Sequence, residues 1–134
     1  MSPHLVVLDA SAFVELLTGG RNAEWVADQV ERAGLAEPAH FQAEVLSAVG
    51  RHHRAGAASA LAVENSLRRM MDLKAQEHPL EGLLLGAWAR RDNLRLADAL
   101  YVELAAQLET VVVTTDRRLA RATSLAVAPP DDGA

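Results

Sequence analysis

"VVLDASAF", residues Val6 to Phe13, places a carboxylate directly after a run of apolar β-formers, and a second apolar run begins at once. A continuous apolar run of this kind suits a strand of a parallel sheet, buried on both faces. His4 to Leu8 therefore reads as a short buried strand. Ala10 to Leu17 reads as the helix that follows it, stopped by Gly19-Gly20. Asp9 stands at the junction, where a strand-end carboxylate can point into a cleft.

Working outward, the same alternation continues. Asn22 can cap a helix running to Arg32, and Leu35 to Pro38 is a very short strand candidate. Ala39 to Arg54 is helical, ended by Gly56, and Ser59 can cap a helix to Leu73. An extended piece spans Ala75 to His78, and Pro79 opens a helix through Arg91. Leu96 to Leu108 is helical, and Thr110 to Thr114, "TVVVT", is filled with β-branched residues and is the best strand by composition. Asp116 to Arg121 forms a short helix and Leu125 to Ala128 a last strand. Strands alternating with helices imply an α/β fold of three layers, a short parallel sheet of about four or five strands covered on both faces by helices. The expectation is one domain over residues 1–128, with 129–134 a disordered tail.

Composition narrows the class. A chain of 134 residues can bury a real core in one domain, and its 50% hydrophobic content comes mainly from Ala, Leu and Val. No apolar run reaches the length of a membrane span, and no signal-peptide pattern opens the chain, so a cytoplasmic protein is expected. The absence of Cys excludes disulfides and thiolate metal sites. A net charge of −5 argues against a general nucleic-acid coat protein but not against an enzyme that meets phosphates through metal ions. Twelve of the thirteen basic residues are Arg, which a biased genomic composition also explains.

Four acids have positions worth explaining. Asp9 and Asp116 follow strands, and in open α/β sheets ligands bind beyond the carboxyl ends of strands. Each could instead cap the next helix. Glu44 falls within the apolar stripe of Phe41, Val45 and Ala48, where an unpaired carboxylate is costly; a buried Arg could also answer it. Asp98 borders the face made by Leu94, Tyr101 and Val102, though a first-turn acid also complements the helix dipole. Glu103 and Glu109 read as solvent-facing. Four oxygen donors without Cys describe a site for hard cations, Mg²⁺ or Mn²⁺, one or two ions, serving in-line displacement at phosphorus by a metal-activated water. Ser11 and Thr114 would be the hydroxyls behind it, orienting carboxylates or a water.

"VVLDASAF", "EPAHFQAEVLSAVGR", "LADALYVELAAQL" and "VVVTTDRRLA", in this order, resemble the PIN-domain family, particularly the bacterial VapC-type toxins. The resemblance runs almost the whole chain, to Val127. It implies a metal-dependent endoribonuclease with Asp9, Glu44, Asp98 and Asp116 as its catalytic, metal-binding quartet. It also implies a homodimer held inactive by a small antitoxin, which by our reading places an Arg near the acids. Some relatives carry a further acid after the last motif Asp; here Arg117, Arg118 and Leu119 follow, which leaves the choice between one and two metals open.

Other residues receive lesser assignments. Arg51, Arg54, Arg117, Arg118 and Arg121 are candidates for holding an RNA backbone, with a solvated ion-paired face as the alternative. His40 and Glu44 have metal-pair spacing but no third ligand of zinc type, so His40 is assigned to a helix end or surface. Met70-Met71 and Trp88 belong to the core or a dimer surface. Two rival enzyme-like classes fit worse. A phosphoacceptor domain needs a Lys after a late strand, and the only Lys is Lys74, on a helix by this reading; a haloacid-dehalogenase-type phosphatase needs an Asp where Ser11 stands. A non-catalytic binding module of the same fold remains the alternative to a nuclease.

Overall fold

A computed structural model describes residues 4–131 of the chain. The elements run β1 (Leu5–Leu8), α1 (Ala10–Thr18), α2 (Ala23–Val30), β2 (Gly34–Pro38), α3 (Phe41–Arg54), α4 (Ala60–Met71) and β3 (Ala75–His78). A 3-10 turn at Leu80–Gly82 then leads to α5 (Leu84–Ala89), α6 (Leu96–Gln107), β4 (Val112–Val113), α7 (Arg117–Ala122) and β5 (Ala126–Val127). All five strands are parallel, in the order β3-β2-β1-β4-β5. The apolar run that opens the chain therefore forms the middle of the sheet, between helical layers. Val6, Val7 and Leu8 meet Val112 and Val113 there, packed under Phe13, Val45, Tyr101, Val102 and Leu104 from the helices. Phe13 and Phe41 join α1 to α3 edge-on, with ring centroids 5.5 Å apart.

The strand order places a topological switch point at β1. From there the chain proceeds outward through β2 and β3, then crosses to β4 and β5 on the other side. Crossovers leaving in opposite directions open a crevice at the carboxyl ends of β1 and β4. A second feature widens it. The β1–β2 pairing ends at Val7 and Ala36, because Pro38 has no N–H to continue the ladder. Leu8 N–H, the next donor on that side, is taken by the Glu37 carboxylate at 3.0 Å.

Several boundaries differ from the sequence-based expectation. "TVVVT" pairs as a strand only at Val112–Val113. Thr110 N–H closes α6 on Ala105 O, and Thr114 Oγ1 receives Asp116 N–H, so both ends of the run serve neighbouring elements. The helix expected from Pro79 to Arg91 is split around Gly82 and Leu83 into the 3-10 turn and α5. Asn22 precedes α2 but makes no side-chain cap; its N–H bonds Glu15 Oε1 at 2.8 Å. Ser59 does cap α4, accepting from Ala62 N–H. Lys74 lies in the link between α4 and β3 rather than on a helix. Glu103 is not a solvent-facing acid: Arg90 reaches it at 3.1 Å and Gln107 at 2.9 Å, fastening α5 to α6. Met70 is in the core, whereas Met71 and Trp88 are exposed.

Arg117 is engaged with the chain's own backbone. It donates through Nε to Pro129 O (3.3 Å) and through Nη2 to Pro130 O (3.1 Å), and Pro129 is buried. Of the tail expected over 129–134, residues 132–134 lie outside the described residues. Among the described residues no helix is long and apolar enough to cross a membrane.

Candidate active site

The carboxyl ends of β1 and β4 each deliver one acid. Asp9 caps α1, and one of its oxygens, Oδ1, accepts from Ala12 N–H (3.0 Å) and Ser11 Oγ (2.7 Å). Asp116 caps α7 in the same way, with Oδ1 accepting from Arg118 N–H (2.9 Å) and Leu119 N–H (3.4 Å). The capping role and a place in the cleft are thus compatible, since each cap occupies a single carboxylate oxygen. Ser11 and Thr114 tie the two strand ends together: their hydroxyls lie 3.4 Å apart, and Thr114 Oγ1 also accepts Asp116 N–H at 3.0 Å.

Two helices supply the other acids. Glu44 projects from the stripe side of α3, and no Arg answers it among the described residues. Tyr101 donates its hydroxyl to Glu44 Oε1 at 2.7 Å, and His40 Nε2 lies 3.6 Å from the same oxygen. The His40 ring stacks on Tyr101 with centroids 4.7 Å apart, and its Nε2 is 3.1 Å from Ala97 O. Asp98 and Tyr101 are three residues apart on α6, hence on one face.

Asp9, Glu44, Asp98 and Asp116 all line one cleft of about 450 Å³, together with Ser11, His40 and Tyr101. Their electrostatics agree with that proximity. Burial pushes the Asp9 carboxyl up to about 6, with Asp98 adding repulsion, although Thr114, Ser11 and Ala12 donate to it. Asp98 is raised by burial and then by Glu44 and Asp116, against the pull of Arg95 and His40. Burial and the facing Glu44 carboxylate push the Tyr101 phenol far up, so it stays a donor.

Such a donor set fits a hard divalent cation, because every candidate oxygen is a carboxylate and their mutual repulsion is relieved by positive charge. Among the described residues no three such groups close into a ready cage. Mg²⁺ needs none, since it retains several waters and takes only one or two carboxylates.

Of the Arg candidates, Arg51 lines the cleft. Arg118, 82% exposed, has Nε 3.8 Å from Asp116 and lines an adjoining hollow. Arg117 is bound to Pro129 and Pro130, and Arg54 and Arg121 line neither cavity. Three residues escaped the sequence reading. Tyr101 had signalled only an apolar face, yet its spacing from Asp98 put it beside the site. Arg95 lines the cleft at the start of α6. Glu37 is 3% exposed beneath it, and an acid inside the strand candidate Leu35–Pro38 was the available signal.

Residues 6–125 match the PIN domain family model. The chain belongs to the PIN-domain family. Within that family it is 51% identical to the ribonuclease VapC3 of Mycobacterium tuberculosis over 122 residues, covering 90% of this chain and 88% of the relative. Among solved structures, PAE2754 from Pyrobaculum aerophilum superposes with a TM-score of 0.68 at 28% identity, covering 93% of this chain and 83% of the other. A chain of a toxin–antitoxin complex from Klebsiella pneumoniae gives 0.68 at 17% identity over 94% and 98%, a likeness of PIN fold alone. The family indicated by the four sequence motifs is the family found.

Proposed function

We propose that this PIN-domain protein is a divalent-metal-dependent endoribonuclease, the toxin of a VapBC-type pair, that hydrolyses phosphodiester bonds of cellular RNA in the cytoplasm. One observation carries the reading: four carboxylates from four separate segments, at the ends of β1 and β4 and on α3 and α6, line a single cleft. The ribonuclease identity of the VapC3 relative supports the substrate class. A bound Mg²⁺ or Mn²⁺ would supply activation of a water and stabilisation of charge on the phosphate.

The chain's own residues do the rest. Asp9, Glu44, Asp98 and Asp116 would offer oxygens to the cation; Ser11 and Thr114 fix the Asp9 carboxylate in direction, and Thr114 also holds the Asp116 backbone N–H. Tyr101 holds Glu44 by its 2.7 Å bond. Arg51, at the cleft, would steady the RNA backbone. An acidic cleft of this kind also receives guanidinium, since Arg forks onto carboxylates. An antitoxin Arg entering among the four acids would therefore exclude the cation, and a homodimer is the assembly in which this inhibited state forms. The decisive experiment is end-mapping of cellular RNA after brief induction, wild type beside Asp9→Asn. New 5′ ends specific to the wild type are expected; identical end profiles would refute the proposal.

A further inference from the structure

Beside the acidic cleft lies a second hollow of about 180 Å³, and the two share Arg95, Asp98 and Asp116 as a common wall. The hollow therefore opens onto the place where a phosphodiester would be cut. Its remaining lining is unlike that of the cleft. Leu94, Leu119 and Ala122 give it an apolar side, and Asn93 and Arg118 give it amide and guanidinium donors. Its volume is below the roughly 300–1,000 Å³ of a pocket for a drug-sized ligand, so it suits a single ring system.

The cations here are less engaged than several of their neighbours in the fold. Arg90 is bound to Glu103, Arg117 to the Pro129 and Pro130 carbonyls, and Arg91 lies over Trp88 at 4.7 Å. The Arg95 side chain, by contrast, makes no hydrogen bond or close ion pair among the described residues, and its charge is near enough to act on Asp98. Arg118 is 82% exposed, with a single loose approach to Asp116. In a chain of net charge −5, two available guanidiniums flanking a small half-apolar hollow next to the acids are suited to a polyanion carrying bases.

We propose that this hollow binds the base of a nucleotide neighbouring the scissile phosphate, with Arg95 and Arg118 on the flanking phosphates and Asn93 reading the base edge. The inference rests on the ribonuclease reading and adds a determinant of where RNA is cut. An apolar wall accepts any base face, so discrimination falls to Asn93, whose amide both donates and accepts.

The test is equilibrium binding, separate from cleavage. A panel of short oligoribonucleotides of differing sequence is titrated in Mg²⁺ against full-length Glu44→Gln protein, with Arg118→Ala or Asn93→Ala added. Arg118→Ala should weaken all sequences alike and lower the salt slope by about 0.7. Asn93→Ala should reduce the spread of affinities across the panel, by a factor of about 5 to 150 for the preferred sequence. Both residues are exposed, and circular dichroism checks that each variant folds. If affinities, salt slope and sequence spread are unchanged in both variants, the hollow is not a nucleotide subsite. If the wild type cuts no RNA while these binding effects appear, the subsite stands and the ribonuclease reading falls.

Discussion

Asp9 keeps its proton to about pH 6 in the metal-free fold, whereas the unfolded chain releases it near 3.8. The folded state then binds more protons across that interval, so stability falls as pH rises from about 4 to 6 and stays low above it. The shift corresponds to about 3 kcal/mol at most. Asn can keep the cap through its side-chain oxygen, so Asp9→Asn should be more stable than wild type in urea at pH 7.5 with chelator, and the gap should close toward pH 4. A gap that persists at pH 4 would place the effect elsewhere. Tyr101→Phe removes only the hydroxyl that holds Glu44. Cleavage should drop about 10- to 100-fold, the usual effect of losing a group that orients a ligand, with unfolding free energy changed by less than about 1.5 kcal/mol. At this scale the four acids were legible because a charge at a strand end or in an apolar stripe conflicts with its surroundings. Tyr101 was not, because an aromatic among Leu and Val conflicts with nothing.

At the scale of elements, the parting of β1 from β2 depends on Pro38 and Glu37 together. Glu37 Oε1 satisfies Leu8 N–H, while Oε2 is buried with no hydrogen-bond partner among the described residues, and burial holds the carboxyl well above its usual range. Glu37→Ala should cost about 1–3 kcal/mol by leaving Leu8 N–H bare. Glu37→Gln, which can still accept that bond and carries no charge, should match or exceed wild-type stability at pH 8. Its advantage should vanish as pH falls below the ordinary Glu value of about 4.5, where the unfolded chain also keeps the proton. Paired urea curves at the two pH values decide this. The order of strands and helices was readable from alternation of apolar runs and caps, but element ends were not. "TVVVT" has strand composition throughout, yet Thr110 and Thr114 are claimed by α6 and by Asp116, a competition that only tertiary structure creates.

Across the whole molecule, acids crowded at one edge would make binding of a divalent cation and folding one equilibrium. A cation that binds only the folded state at 100 times its Kd adds about 2.7 kcal/mol. Because carboxyls must lose their protons to bind it, the rise in Tm on adding Mg²⁺ should be larger at pH 8 than at pH 5.5, and small in Asp98→Asn. Equal rises at both pH values would mean the ion binds elsewhere. The all-parallel sheet and its helical layers followed from the pattern of the sequence, but the switch point at β1 did not, since strand order depends on crossovers the pattern leaves free. The clasp of Arg117 on Pro129 and Pro130 has a mechanical meaning. Helix α7 is anchored at its first turn to the cleft through Asp116 and, through the adjacent side chain, to the segment by which the chain leaves the domain. Tension applied to that segment would reach α7 through Arg117 as well as β5 through the backbone. The outermost strand of the sheet and the corner that presents Asp116 would then bear the strain together.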